Sequence, residues 1–228
     1  MNDILYSYMT KRFSDKYIED FHSSMGPVVT FSRAAGCSSS QLANGLASKL
    51  NEGQKNKTWD VVSKEILHHS AEILKLQPDT LKSIFKPKNR NLFDEIVQAF
   101  ISGEYHLEKR MIKTVISVIH NFGVEGHKII VGRAANIICS DIPNSLHIRI
   151  DAPLNWRIEK VMKIKEFSKE EAVNCINQTE KNRDNFRRSV KGDVDQSDTF
   201  DLIINQATFS KDQIIDLIIN AMKIKKLI

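Results

Sequence analysis

Three cysteines in 228 residues, Cys37, Cys139 and Cys175, are too few and too far apart for a disulfide framework or a CxxC metal site. Aromatic residues make up only 7% of the chain and are not interleaved with the basic ones. That removes the stacking platforms on which nucleic-acid binding modules rely. No apolar run approaches the roughly 20 residues needed to cross a bilayer. The start, Met1-Asn2-Asp3-Ile4-Leu5-Tyr6, lacks the basic residues and small-residue cleavage site of a signal peptide. The expectation is a cytoplasmic protein. His68, His69, His106, His120, His127 and His147 are scattered, with neither the i, i+4 spacing of a helical zinc motif nor a triad partner in sequence.

What remains is an ordinary soluble composition, 41% apolar and 27% charged, long enough for one α/β domain with a continuous core. A net charge of +5 suits an anionic partner. The densest basic cluster is Lys181, Arg183, Arg187, Arg188 and Lys191. Lys223, Lys225 and Lys226 read as a solvated helix end, where cations favour the dipole.

Residues 1–26 read as an amphipathic helical arm, with Ile4, Leu5, Tyr8, Met9 and Phe13 near helical spacing. Such an arm packs on its own domain or pairs with a sister subunit in a homodimer. A membrane surface suits it less, because acidic residues intrude on a short apolar face. Gly26-Pro27 ends it and launches the domain of residues 27–228.

Strands are expected at Val28–Ser32, Trp59–Val62, Lys128–Val131, Leu146–Ile150 and Asp201–Asn205, with helical periodicity between them. The helices include one through Ile66 to Leu74 and a long stretch from Phe93 to Phe122. Pro153 favours a helix start, and Ser168 with Glu171 and Ser210 with Gln213 are capping boxes. Strands separated by helices imply an α/β fold, a parallel sheet with helices on both faces.

Between the first strand and its helix runs Arg33-Ala34-Ala35-Gly36-Cys37-Ser38-Ser39-Ser40. Small side chains let the backbone N–H groups of Gly36, Cys37, Ser38, Ser39 and Ser40 approach an anion, and the helix N-terminus adds partial positive charge. The strict phosphate-loop pattern ends in Gly-Lys-Ser/Thr, and this loop has no lysine. Cys37 fills a small-residue slot in the preferred reading; a helix N-terminus that acidifies its thiol is the other. Ligands of such sheets lie beyond the carboxyl ends of the strands. That rule selects Arg33, the 36–40 loop, Glu65, Arg133 and Asp151, a positive crevice that suits phosphate.

The succession Ser32-Arg33…Gly36-Cys37, Val131-Gly132-Arg133-Ala134-Ala135-Asn136, Ala152-Pro153…Trp156-Arg157-Ile158 and Asp201-Leu202-Ile203-Ile204-Asn205 resembles the cytidylate kinase-like proteins. These are relatives of the nucleoside monophosphate kinases in the P-loop class. The resemblance runs from about residue 27 to the C-terminus. It implies a five-stranded parallel sheet flanked by helices, a monophosphate-binding region inserted at about residues 60–125 and an arginine-rich lid at about 165–198. It also implies transfer of the ATP γ-phosphoryl group to a nucleoside monophosphate, a pyrimidine favoured, with Mg2+. On this chain Gly36, Cys37, Ser38, Ser39 and Ser40 would hold ATP phosphates and Ser40 the metal. Arg133, Glu65 and Arg157 would face the acceptor, and Arg33, Arg183, Arg187 and Arg188 would neutralise charge in catalysis.

Ser39 stands at the lysine position. The arginine that often follows in this group is Ser40, and the aspartate that follows Gly-Arg in cytidylate kinases is Ala134. The alternative is therefore a degenerate nucleotide-binding protein with a sensing or regulatory role. A nucleic-acid-associated protein using the basic face is a third reading, without a recognised module to support it.

Overall fold

A computed structural model describes residues 26–53, 58–63, 105–191 and 199–228. The N-terminal arm, the helix expected through Ile66 to Leu74 and most of the expected monophosphate-binding insertion lie outside the described residues. Five strands, β1 (Val28–Arg33), β2 (Asp60–Val62), β3 (Lys128–Val131), β4 (Ser145–Asp151) and β5 (Leu202–Asn205), form one sheet in the order β2-β3-β1-β4-β5. Every pairing is parallel. The helices are α1 (Ser39–Asn51), α2 (Tyr105–Glu125), α3 (Ala135–Ile138), α4 (Leu154–Lys165), α5 (Lys169–Lys191) and α6 (Lys211–Ile224). This is the α/β sheet flanked by helices that the alternation of patterns predicts.

Strand β1 is central because its residues suit burial on both faces. Val29 and Phe31 face a core built with Leu42, Ala43, Leu46 and Leu50 of α1 and Ile214, Ile215, Ile218 and Met222 of α6. Val28 faces the opposite core with Ile130, Val118, Ile119 and Ile138. A third cluster, Ala35 with Ile158, Val161, Ala172 and Ile176, seats the α4–α5 hairpin against the segment that follows β1. Each large aliphatic side chain so buried contributes about 1.5–3 kcal/mol. The two sequence-predicted capping boxes are present, at Ser168 with Glu171 and at Ser210 with Gln213. Helix α3 is not foreseen by periodicity, since its four residues make barely one turn.

The alternation in β4 separates its faces: Leu146, Ile148 and Ile150 enter the aliphatic core, while His147 and Arg149 lie on the other face. His147 is buried there all the same. Its Nδ1 is 2.8 Å from Thr30 Oγ1 and its Nε2 3.1 Å from Ser145 Oγ, so both ring nitrogens are satisfied. Its main-chain N–H donates to Asp201 Oδ2 at 2.7 Å, and Lys225 pairs with Asp201.

After β1 the chain turns at Gly36, with φ +94°, against the first turns of α4. A Cβ on Gly36 would lie 2.9 Å from Arg157 Cβ and 3.0 Å from Arg157 O. Both the dihedral and the space demand glycine. Gly36→Ala should therefore cost about 2–4 kcal/mol, the sum of backbone strain and overpacking. Gly53 gives the contrast, because its φ is +78° but nothing lies within 4 Å. Gly53→Ala should cost only about 1 kcal/mol. Urea midpoints for the two variants test this, and equal losses would refute the close approach at Gly36.

Burial lowers the pKa of His147, and Lys225 adds to this while Asp201 opposes it. The unfolded chain, titrating near 6.5, then binds more protons than the folded one below that pH. The contribution of His147 is whole above about pH 6.5 and declines as the solution is acidified. Asp201 is lowered as well: burial pushes it up, but the His147 N–H and Lys225 outweigh this and hold it low. Its own loss is confined below about pH 4. Stability measured between about pH 5 and 7 should slope upward with pH in the wild type and less so in His147→Gln. Equal slopes would remove His147 as the cause.

Candidate functional site

The segment from Ser32 to Ser40 is held by side chains from three other elements. Arg157 of α4 donates from Nε to Ala152 O at 2.9 Å, and from Nη1 to Ala35 O at 3.1 Å and Glu180 Oε1 at 2.7 Å. The same Glu180 oxygen accepts from the Ala35 N–H at 3.3 Å. From beyond β5, Gln206 Oε1 accepts from the Ser38 N–H at 2.9 Å and Gln206 Nε2 donates to Ser38 O at 3.4 Å. The Cys37 N–H donates to Ala34 O at 3.1 Å. The hydroxyl of Ser39 is buried without a hydrogen-bond partner among the described residues. Burial pushes the Cys37 thiol up to about 11, with Asp151 adding to the effect against Arg157, Arg183 and Arg149. The thiol is thus a buried filler, as the preferred sequence reading has it.

Helix α5 lies along the end of β1 with one face turned to it. Arg183 Nη1 donates to Arg33 O at 2.9 Å and Arg187 Nη2 to Ser32 Oγ at 2.8 Å. Glu180, Arg183 and Arg187 are three and four residues apart, the spacing that puts side chains on one helical stripe. Past β3, Gly132, Arg133 and Ala134 have φ of +77°, +58° and +53°. Left-handed backbone at two non-glycine residues costs roughly 1–2 kcal/mol each and turns the chain sharply beside β1. A Cβ on Gly132 would lie 3.2 Å from Arg33 Nη1, so the arginine rests over the glycine. Burial lowers the pKa of Arg33, with Cys37 opposing the shift. A guanidinium titrates so far above neutrality that it stays charged.

These elements surround a cavity of about 500 Å³ at the carboxyl ends of β1, β3 and β4. Its walls carry six basic side chains, Arg33, Arg133, Arg149, Lys165, Arg183 and Arg187, against two acidic ones, Glu180 and Asp184. Few apolar groups line it, with Phe186 the aromatic one among the described residues. A cavity so cationic attracts anions and strengthens their hydrogen bonds with arginine.

Of the residues expected from sequence, Arg33, Ser40, Arg133, Arg183 and Arg187 come together on these walls. Gly36, Cys37, Ser38 and Ser39 lie behind them in the loop, and Arg188 is exposed outside. Arg157 directs its guanidinium at protein carbonyls and Glu180 rather than at the cavity. Glu65 lies outside the described residues. Sequence reasoning missed Arg149, Lys165, Glu180 and Asp184 as wall residues. The alternation His147–Arg149–Asp151 was the available signal for Arg149: a charged residue on one face of a parallel strand, next to its carboxyl end.

Hard oxygen donors also line it, the Ser40 hydroxyl and the Asp184 carboxylate among them. Among the described residues, no group of three or more His, Cys, Asp or Glu is placed to hold a metal. Magnesium carried on a nucleotide needs only one or two protein oxygens beside its waters and phosphates. The donor set therefore fits that ion in that form.

Among curated proteins none matches the chain. Its fold is similar to the crystal structure of an uncharacterized protein from Eubacterium ventriosum. That structure has a TM-score of 0.60 and 20% sequence identity, covering 86% of this chain and 98% of the other. Residues 28–208, nearly everything from β1 to the turn after β5, match the family described as cytidylate kinase-like. The parallel sheet, the small-residue loop after β1 and the arginine-lined cavity beyond it thus belong to a member of the cytidylate kinase-like family.

Proposed function

We propose that this protein binds nucleotides through their phosphates and moves the γ-phosphoryl group of ATP to a nucleoside monophosphate, a pyrimidine favoured. The observation that carries this reading is the cavity with six basic side chains at the carboxyl ends of three parallel strands. Phosphoryl transfer asks little of a protein beyond positioning and neutralisation of charge on the phosphate oxygens. Arg33, Arg183 and Arg187 would supply that charge, with Arg188 nearby on the same helix. Arg133 would orient the acceptor, with Glu65 and Arg157 as the further acceptor residues. Backbone groups of the 36–40 loop would hold the donor phosphates, and Ser40 would contact magnesium. A cytoplasmic setting and a homodimer formed through the N-terminal arm belong to the same reading.

A second reading, nucleotide binding without turnover, is favoured by the loop itself. Neither Ser39 nor Ser40 replaces the missing cation. In addition, the N–H groups of Ala35, Cys37 and Ser38 all have partners within the protein. The loop then has fewer donors to offer a triphosphate.

Purified protein with ATP, magnesium and each nucleoside monophosphate, assayed for ADP, separates the two. The first reading expects base-dependent turnover, with Arg133→Ala lowering kcat/KM by about 10²–10³, on the scale of losing a charge-stabilising donor. Nucleotide-dependent thermal stabilisation with no ADP formed would establish the second. No turnover and no stabilisation by any nucleotide would sink both.

A further inference from the structure

One acceptor in the loop region is itself an anion. Glu180 Oε1 takes hydrogen bonds from the Arg157 guanidinium and the Ala35 N–H, the donor types that recognise phosphate. Arg157 does not depend on Glu180 for its place. Its Nε is tied to Ala152 O, its Nη1 also reaches Ala35 O, and its own backbone is wedged against Gly36. Glu180, in contrast, is 40% exposed in its side chain, where Arg157 is only 12% exposed. It lines the cavity and comes from a different helix. The donors are fixed and the acceptor is the exchangeable part.

We infer that Arg157 and the Ala35 N–H form a phosphate subsite masked by the Glu180 carboxylate, which a nucleotide polyphosphate displaces. The inference rests on the nucleotide reading above and adds a subsite and its gate. A polyphosphate brings more charge and more acceptor oxygens than one carboxylate into a cavity lined by six cations. Displacement has a mechanical consequence. Glu180 shares its helical stripe with Arg183 and Arg187, which are bonded to Arg33 O and Ser32 Oγ. Release of the first contact loosens α5 from the end of β1 and turns those two guanidinium groups towards the ligand. Arg157 then binds phosphate, a role distinct from the acceptor contact that its sequence position suggests.

The test is calorimetric titration of the full chain with ATP and with inorganic triphosphate. Removing the mask raises the competent fraction, so Glu180→Ala should tighten both about tenfold. Glu180→Gln, which keeps the shape and an acceptor oxygen, should show a smaller gain. Arg157→Ala in the Glu180→Ala background should abolish the gain. If Glu180 is merely a brace, Glu180→Ala weakens binding or leaves it unchanged, and either result overturns the proposal. Hydrogen exchange on the wild type gives a reading independent of any variant: ATP should speed exchange in α5 around residues 180–187, and uniform protection there would also overturn it. Wild-type binding that depends on Arg133 but not on Glu180 defeats the gate alone. No binding of ATP or triphosphate by any form defeats the nucleotide reading and the gate together.

Discussion

The Arg157 guanidinium ties together three segments beyond the sheet. It reaches the end of β4 at Ala152, the loop at Ala35 and helix α5 at Glu180. A lysine has a single ammonium and cannot serve three acceptors in a plane; the forked guanidinium can. Gly36 lets the loop backbone approach Arg157 to within van der Waals limits. The loop is thereby referenced to α4, and α5 to the loop. The spacing of the cavity walls on the β1 and α5 sides thus depends in part on a side chain that does not line the cavity, beside the direct ties of Arg183 and Arg187 to β1.

The segment from Gly36 to Ser40 carries no cation, and the cations stand instead on the cavity walls, on stiffer supports. Arg149 stands on a central strand, held through Nε by Asp151 and set against the Phe200 ring. Arg183 and Arg187 are anchored to acceptors on β1. Arg33 lies over Gly132. A loop lysine is a mobile point charge; Arg33 and Arg149 are oriented before a ligand arrives, so less side-chain entropy is lost on binding. Charge carried by the walls keeps a positive field at the strand ends without any cation in the loop.

Local signals were readable in the sequence and tertiary ones were not. Both capping boxes depend on residues three apart, and both are formed. The loop after β1 and the Gly132-Arg133 turn fall at strand ends that apolar runs already mark. Arg149 escaped because alternation in β4 reads as weaker burial of one face, whereas His147 on that face is buried by pairing with Thr30 and Ser145. Nothing in the order of residues says that Thr30, 117 positions away, supplies the hydroxyl. The role of Arg157 was hidden for the same reason: its acceptors come from the loop after β1, the end of β4 and α5. The cluster 181–191 was visible as charge, but the acid that shares its stripe, Glu180, becomes meaningful only once α5 lies against β1.

So many like charges around one cavity carry an electrostatic cost, and the contacts show how it is contained. Arg183 faces the carbonyl of Arg33, and Arg187 the hydroxyl of Ser32. Neutral dipoles thus screen the cations where carboxylates are scarce. The compensation is partial, since Glu180 and Asp184 are the acids on the walls against six bases. Residual repulsion of this kind destabilises the compact chain. An anion that enters the cavity relieves it, and whatever binds the folded chain alone raises its stability by mass action. Ligand affinity and fold stability are therefore coupled through the same arginines. A substitution that removes one of them weakens the site while easing the strain on the fold.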